Sequence, residues 1–131
     1  MSDHFKPEGY TSVSPYVVVE DAQRVIDFLS AVFETTDLRR YERPNGSIMH
    51  VEVRLDDTVI MLGEGPDTDT VSAFTSMVHV YVPDVDATYQ RALKAGGVSV
   101  QDPLQQEDDP DQRGIVEDPE GNLWVLATRI G

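Results

Sequence analysis

Val17-Val18-Val19-Glu20-Asp21-Ala22 returns in kind 63 residues later as Val80-Tyr81-Val82-Pro83-Asp84-Val85. In both places an apolar strand runs into an aspartate positioned to cap a helix. The strands that close each half, Thr58–Leu62 and Asn122–Leu126, are offset by 64. A period this long with only two copies marks a duplicated supersecondary unit rather than a solenoid. It points to a fold of two similar halves with a cavity between them.

Working outward, residues 1–11 hold Pro7 and Gly9 and little pattern, and read as an arm. A strand is expected over Ser12–Val19. Asp21 then caps a helix to about Glu34, because its carboxylate accepts first-turn amide hydrogens. Val25, Phe28, Leu29 and Val32 recur at helical spacing and should face a sheet. Leu38–Tyr41 reads as a short strand and Pro44-Asn45-Gly46 as a turn. Ile48–Leu55 and Thr58–Gly63 follow as strands joined at Asp56-Asp57. Residues 64–72, rich in Gly, Pro, Asp and Thr, link the halves. The order then repeats, with strand Met77–Val82 and a helix from Asp84 to about Ala95 that stops at Gly96-Gly97. Strand Val98–Gln101 comes next, then a polar loop over Gln105–Gln112 that is too acidic to be buried. Strands Gly114–Glu117 and Leu123–Thr128 close the chain around the turn Asp118–Asn122, in which Gly121 should take a positive φ. The expectation is an α+β chain of two βαβββ modules, about 12–63 and 73–131, in one domain over 12–131.

Composition narrows the function classes. The 131 residues suit one compact domain. The formal charge is −14, with Lys6 and Lys94 the only lysines. Such a field repels nucleic acid and anionic membranes and attracts cations. It reads either as a solvated acidic surface, of the kind tuned to high salt, or as an acidic cleft for a cationic ligand. The acid concentrated in turns, at Asp67, Asp69, Glu107–Asp109 and Asp111, favours the first. No apolar run approaches the ~20 residues that span a bilayer, and Met1–His4 does not resemble a secretory signal. The absence of cysteine removes disulfides, thiolate nucleophiles and Cys-ligated metals, and favours a cytoplasmic location. Gly63-Glu64-Gly65 and Gly96-Gly97 read as turns rather than phosphate cradles.

The ordered motifs Pro15–Asp21, Ile26-Asp27-Phe28, Met49-His50-Val51-Glu52, Tyr81–Ala87, Ala95-Gly96-Gly97, Asp111–Gly114 and Asp118–Trp124 together resemble the glyoxalase/bleomycin-resistance, or vicinal oxygen chelate, superfamily. The resemblance covers almost the whole chain after the arm. It implies two βαβββ modules whose mixed sheets curve around a cavity, usually in a homodimer. It also implies metal ligands, commonly His or Glu, on the first and last strand of each module in the metal-dependent members. Those positions fall on Ser14, Met61, Met77 and Val125. Divalent metals there need imidazole nitrogen or carboxylate oxygen, which these residues do not supply. No metal or other cofactor is therefore expected at the usual site.

Strand alternation assigns the remaining faces. Met49, Val51, Val53 and Leu55 should pack under the helices, and His50, Glu52 and Arg54 should face the cavity. Tyr16, Met61, Met77, His79, Tyr81, Leu123 and Val125 share that side. His50 and Glu52 lie two apart on one face, so the carboxylate can orient the imidazole or raise its pKa. Three arrangements are open: a Glu52–Arg54 ion pair with His50 bonded to a neighbouring strand, direct contact with an organic ligand, or a displaced metal site of His50, Glu52 and His79. Arg113 suits either a ligand carboxylate or phosphate, or a salt bridge to the acidic loop at Glu107–Asp111. His79 reads equally as a core or interface histidine. His4 should be solvent-exposed and Trp124 buried.

The favoured reading is a homodimeric protein that binds or sequesters a small cationic or aromatic organic molecule without a metal. The alternative is an enzyme of this superfamily, lyase, isomerase or dioxygenase-like, using His50 and Glu52 with an atypical or absent metal. A structural dimer with a collapsed cavity is a third.

Overall fold

A computed structural model describes residues 5–65 and 73–130. His4 and most of the expected linker, residues 66–72, lie outside them. The elements are β1 (Tyr16–Val19), α1 (Ala22–Val32), β2 (Thr35–Glu42), β3 (Ile48–Leu55), β4 (Thr58–Glu64), β5 (Met77–Tyr81), α2 (Val85–Lys94), β6 (Val98–Gln105), β7 (Asp111–Glu117) and β8 (Leu123–Arg129). The order is βαβββ twice, as the repeat requires. The strands form two four-stranded mixed sheets, ordered β1-β4-β3-β2 and β5-β8-β7-β6. In each sheet the module's first strand runs parallel to its last, and the other pairs are antiparallel.

The two caps act as expected. Asp21 accepts the Arg24 amide and Asp84 accepts the Ala87 amide. Val25, Phe28, Leu29 and Val32 are all buried, and so are Val85, Tyr89 and Ala92 on α2. Both helices and the helix-facing sides of both sheets share one core that includes Leu62, Trp124 and Leu126. The Arg91 guanidinium donates to the Val32 carbonyl at 3.0 Å, so α2 also closes the exposed end of α1. With the apolar faces of both helices packed on one side of the sheets, the opposite face of each sheet is turned away from this core.

Carboxylates from elsewhere hold the start of α1. Glu64 accepts the amides of Ala22 at 2.8 Å and Ile48 at 2.7 Å. Glu120, from the second module, accepts the amides of Glu20 at 3.1 Å and Asp21 at 3.0 Å. The turn that closes module two therefore caps the helix of module one, where a carboxylate also complements the helix dipole.

Several boundaries differ from expectation. β1 begins at Tyr16 rather than Ser12, while β2 and β6 extend further. Gly63 lies within β4, buried, and not in a turn. Met49 is 48% exposed, whereas Ile48 is buried. The cause is an irregularity in pairing: Tyr41 is opposite His50 but Glu42 is opposite Ile48, leaving Met49 as an extra residue. Asp111 is also buried, correcting the reading of Gln105–Gln112 as wholly exposed loop. It opens β7 and has polar partners of its own. Gly121 has φ 89°, and the Asp118–Asn122 turn is as expected.

Candidate functional site

The outer face of the first sheet carries a chain of four polar side chains. Tyr10, in the arm, donates its hydroxyl to Glu52 Oε1 at 2.5 Å. Glu52 Oε2 lies 2.7 Å from His50 Nε2, and His50 Nδ1 lies 3.1 Å from the Tyr16 hydroxyl. With Glu52 ionised, this network assigns the imidazole proton to Nε2 and leaves Nδ1 to accept from Tyr16. The Tyr16 and Tyr41 rings stand 5.6 and 6.2 Å from the His50 ring.

β-sheet register builds this cluster. Tyr16 on β1 pairs with Met61 on β4, which pairs with Glu52 on β3. His50 is two residues along β3 on the same face, where it is opposite Tyr41 of β2. Glu52 is 3% exposed, yet both its oxygens have donors. Burial alone would raise its carboxyl, but the Tyr10 and His50 hydrogen bonds outweigh that and hold it below the usual carboxylate range. The same bond to Glu52 holds the Tyr10 phenol above its ordinary value. Burial does so for Tyr16. Both tyrosines are thus neutral donors at neutral pH.

Arg54 does not pair with Glu52. Its guanidinium donates to the Gly9 carbonyl, a second hold on the arm. Sequence reasoning missed Tyr10 and Tyr41. Tyr41 was accessible from the alternation of β2 opposite His50, but nothing in the pattern of residues 1–11 marks Tyr10.

A second group occupies the outer face of the second sheet. The Tyr81 hydroxyl donates to Asp111 Oδ2 at 2.6 Å, and Arg113 donates to the same oxygen at 2.9 Å and also to Asp109. The bond to Asp111 holds the Tyr81 phenol above its ordinary value. Arg113 is 3.5 Å from His79 Nε2, and the His79 and Tyr81 rings are 4.8 Å apart, edge to face. Arg113 therefore takes the acidic-loop salt bridge. Met77 is 64% and Tyr81 61% exposed, while Val125 is buried.

The internal repeat relates the two groups, with Tyr16 and His50 each 63 positions before His79 and Arg113. Among the described residues, no hydrogen bond or ring contact joins them. Within one chain the described residues therefore do not bring His79 to His50 and Glu52, and the displaced three-residue metal site is not assembled there. Clefts at the seam between modules include one of about 660 Å³ against Phe33, Asp56 and Arg91 and one of about 320 Å³ against Pro15, Ile60 and His79. Tyr81 borders both, and neither includes His50, Glu52 or Met61. The candidate face is open in a single chain.

The positions at which the resemblance places metal ligands do not fit a divalent ion. Ser14 Oγ is buried without a partner, but it is the only oxygen among a hydroxyl, two thioethers and the Val125 isopropyl group. Among the described residues, no three His, Asp or Glu side chains converge to replace them. No described helix is long and apolar enough to cross a membrane.

Comparison with known proteins agrees with the fold. The model of the glyoxalase/bleomycin resistance protein/dioxygenase superfamily matches residues 3–126. The uncharacterized protein Mb0911c of Mycobacterium bovis is 33% identical over 128 residues, covering 91% of this chain and 84% of that protein. The crystal structure of TioX from Micromonospora sp. ML1 superposes with a TM-score of 0.75 at 26% identity, covering 91% of this chain and 98% of TioX. A superfamily member from Sphaerobacter thermophilus gives a TM-score of 0.72 at 18% identity, covering 88% of this chain and 94% of its own. Repeat, fold and family model converge: the chain belongs to the glyoxalase/bleomycin resistance protein/dioxygenase superfamily.

Proposed function

We propose that this protein binds a small cationic or aromatic organic molecule, without a metal, on the Tyr16–His50–Glu52 face. One observation carries the reading: a buried, ionised Glu52 stands behind an aromatic surface of Tyr16, Tyr41 and His50 that remains partly open. A few convergent polar groups in apolar surroundings are the usual make-up of a small-molecule site. The donor set at Ser14, Met61, Met77 and Val125 argues against a divalent ion as the source of affinity.

The proposal includes a homodimer. In a single chain Tyr16, Met77 and Tyr81 are each more than 40% exposed on the outer faces. A second copy related by a two-fold axis could set one chain's Met77–His79–Tyr81 face over the other's Tyr16–His50–Glu52 face and close two equivalent sites. We place the protein in the cytoplasm on its lack of cysteine.

Calorimetric titration of the chelator-treated protein with aromatic ammonium compounds and aromatic carboxylates tests the binding claim. Saturable binding that weakens at least tenfold in Glu52→Gln, with chain mass doubled by light scattering, supports it. A monomer that binds none of them contradicts it.

A second reading is favoured by the Glu52–His50–Tyr16 relay itself, which resembles an oriented acid–base unit. On that reading, turnover of a bound compound stops in both His50→Ala and Tyr16→Phe while binding persists.

A further inference from the structure

The described part of the arm, residues 5–11, forms no strand, yet it is fastened to the candidate site at two points. Tyr10 donates to Glu52, and the Gly9 carbonyl accepts from Arg54. Its other described hydrogen bonds are local, from the Tyr10 amide to the Pro7 carbonyl and from Lys6 to Ser12. The Arg39 guanidinium stands 5.3 Å from the centre of the Tyr10 ring, a cation–π contact. The arm thus holds the sheet through one phenol and one carbonyl.

Glu52 makes this arrangement informative. Its Oε2 is committed to His50, so a donor is needed at Oε1. A buried carboxylate oxygen without a donor is costly, and the chain supplies its own phenol. That phenol sits on an arm rather than on the sheet, so it can leave if another donor takes its place. The slot also has a defined character: a carboxylate acceptor at its base and the Arg39 guanidinium against the ring. Arg39 and Arg54 oppose an ammonium ion there, but both suit a neutral, electron-rich ring.

We infer that Tyr10 occupies a ligand subsite as a resident stand-in, that the arm is a strap over it, and that the natural guest carries a phenolic hydroxyl which displaces Tyr10 from Glu52. This rests on the reading of the face as an organic-ligand site and narrows its guest to a neutral aromatic donor. A tethered competitor acts at an effective concentration on the order of millimolar. The apparent affinity for a free phenol is then reduced by the fraction of chains in which the strap is open. Removing the phenol from the arm should expose the affinity that the strap masks.

The test uses p-cresol, the free form of the tyrosine side chain, and toluene, which lacks the hydroxyl, with the full chain. Binding is measured by calorimetry and by the ring proton signals of His50. The expected result is that p-cresol binds Tyr10→Ala at least tenfold more tightly than the unsubstituted chain and moves the His50 signals. Toluene should not match it, and adding Glu52→Gln should erase the preference for p-cresol. Tyr10→Phe keeps the ring but loses the bond, so it should bind p-cresol more tightly than the unsubstituted chain even if Tyr10→Ala does not fold. Equal p-cresol affinity with and without the Tyr10 hydroxyl, or equal affinity for toluene, overturns the inference. If p-cresol fails while other organic compounds bind the unsubstituted chain, the strap inference falls alone. If none binds any form, the reading of the face falls with it.

Discussion

The Tyr16 side chain lies across Gly63: a β-carbon at position 63 would fall 2.8 Å from the Tyr16 hydroxyl oxygen and 2.9 Å from the Met49 carbonyl oxygen. Gly63 sits inside β4, where glycine weakens a strand and often marks close approach by another group. Here that group is the phenol that reaches His50. Gly63→Ala should cost about 1–3 kcal/mol through overpacking. It should also swing Tyr16 away from His50. Denaturant unfolding measures the first effect, and displaced ring-proton signals of His50 measure the second. A stable variant with an unchanged imidazole would show that Tyr16 does not depend on the missing β-carbon.

Acid should act through Glu52. Its carboxyl is held below the ordinary range in the folded chain. Its stabilising contribution is therefore present above the unfolded value of about 4.3, and is lost as pH falls through the lower folded value. Tyr10 is held above its ordinary value. Its contribution is complete below about pH 10 and is lost as pH rises through the folded value. Unfolding midpoints on acidification should fall more steeply for the unsubstituted chain than for Glu52→Gln. Parallel curves would mean that the Tyr10 and His50 bonds do not hold the carboxylate.

Asp118 should matter to the fold rather than to binding. It is buried and accepts from the amides of Glu120 and Asn122, the Asn122 side chain, and Trp124 Nε1 at 2.8 Å. Asp118→Ala leaves several of these donors buried without partners, at about 1–3 kcal/mol each. A loss of roughly 3 kcal/mol or more is expected, with altered Trp124 fluorescence. Because the same turn carries Glu120, which caps α1, hydrogen exchange at the start of α1 should also quicken. A loss confined to module two would contradict the coupling through Glu120.

Local signals made much of this legible before the structure. Asp21 and Asp84 cap helices because a carboxylate before an apolar stripe can do little else at that spacing. Alternation placed His50 and Glu52 on one face because β3 stays regular through them. The same rule misplaced Met49, since the irregular pairing of Tyr41 and Glu42 is set by the partner strand. Asp111 looked too polar to bury, but Tyr81, 30 positions earlier, and Arg113 supply its partners. Tyr10 was beyond reach for a similar reason. Its partner is 42 positions away, and the arm has no periodicity to announce the contact.

The central claim is an organic-ligand site on the Tyr16–His50–Glu52 face that needs no metal. Its most direct test is thermal unfolding of the chelator-treated protein with Zn²⁺, Ni²⁺, Mn²⁺ or Fe²⁺, and separately with aromatic and cationic organic compounds. A compound that binds only the folded chain, at one hundred times its dissociation constant, adds about 2.7 kcal/mol. The account predicts midpoints indifferent to the metals but raised by an organic compound, with that rise lost in Glu52→Gln. Stabilisation by a metal that disappears in His50→Ala would contradict it.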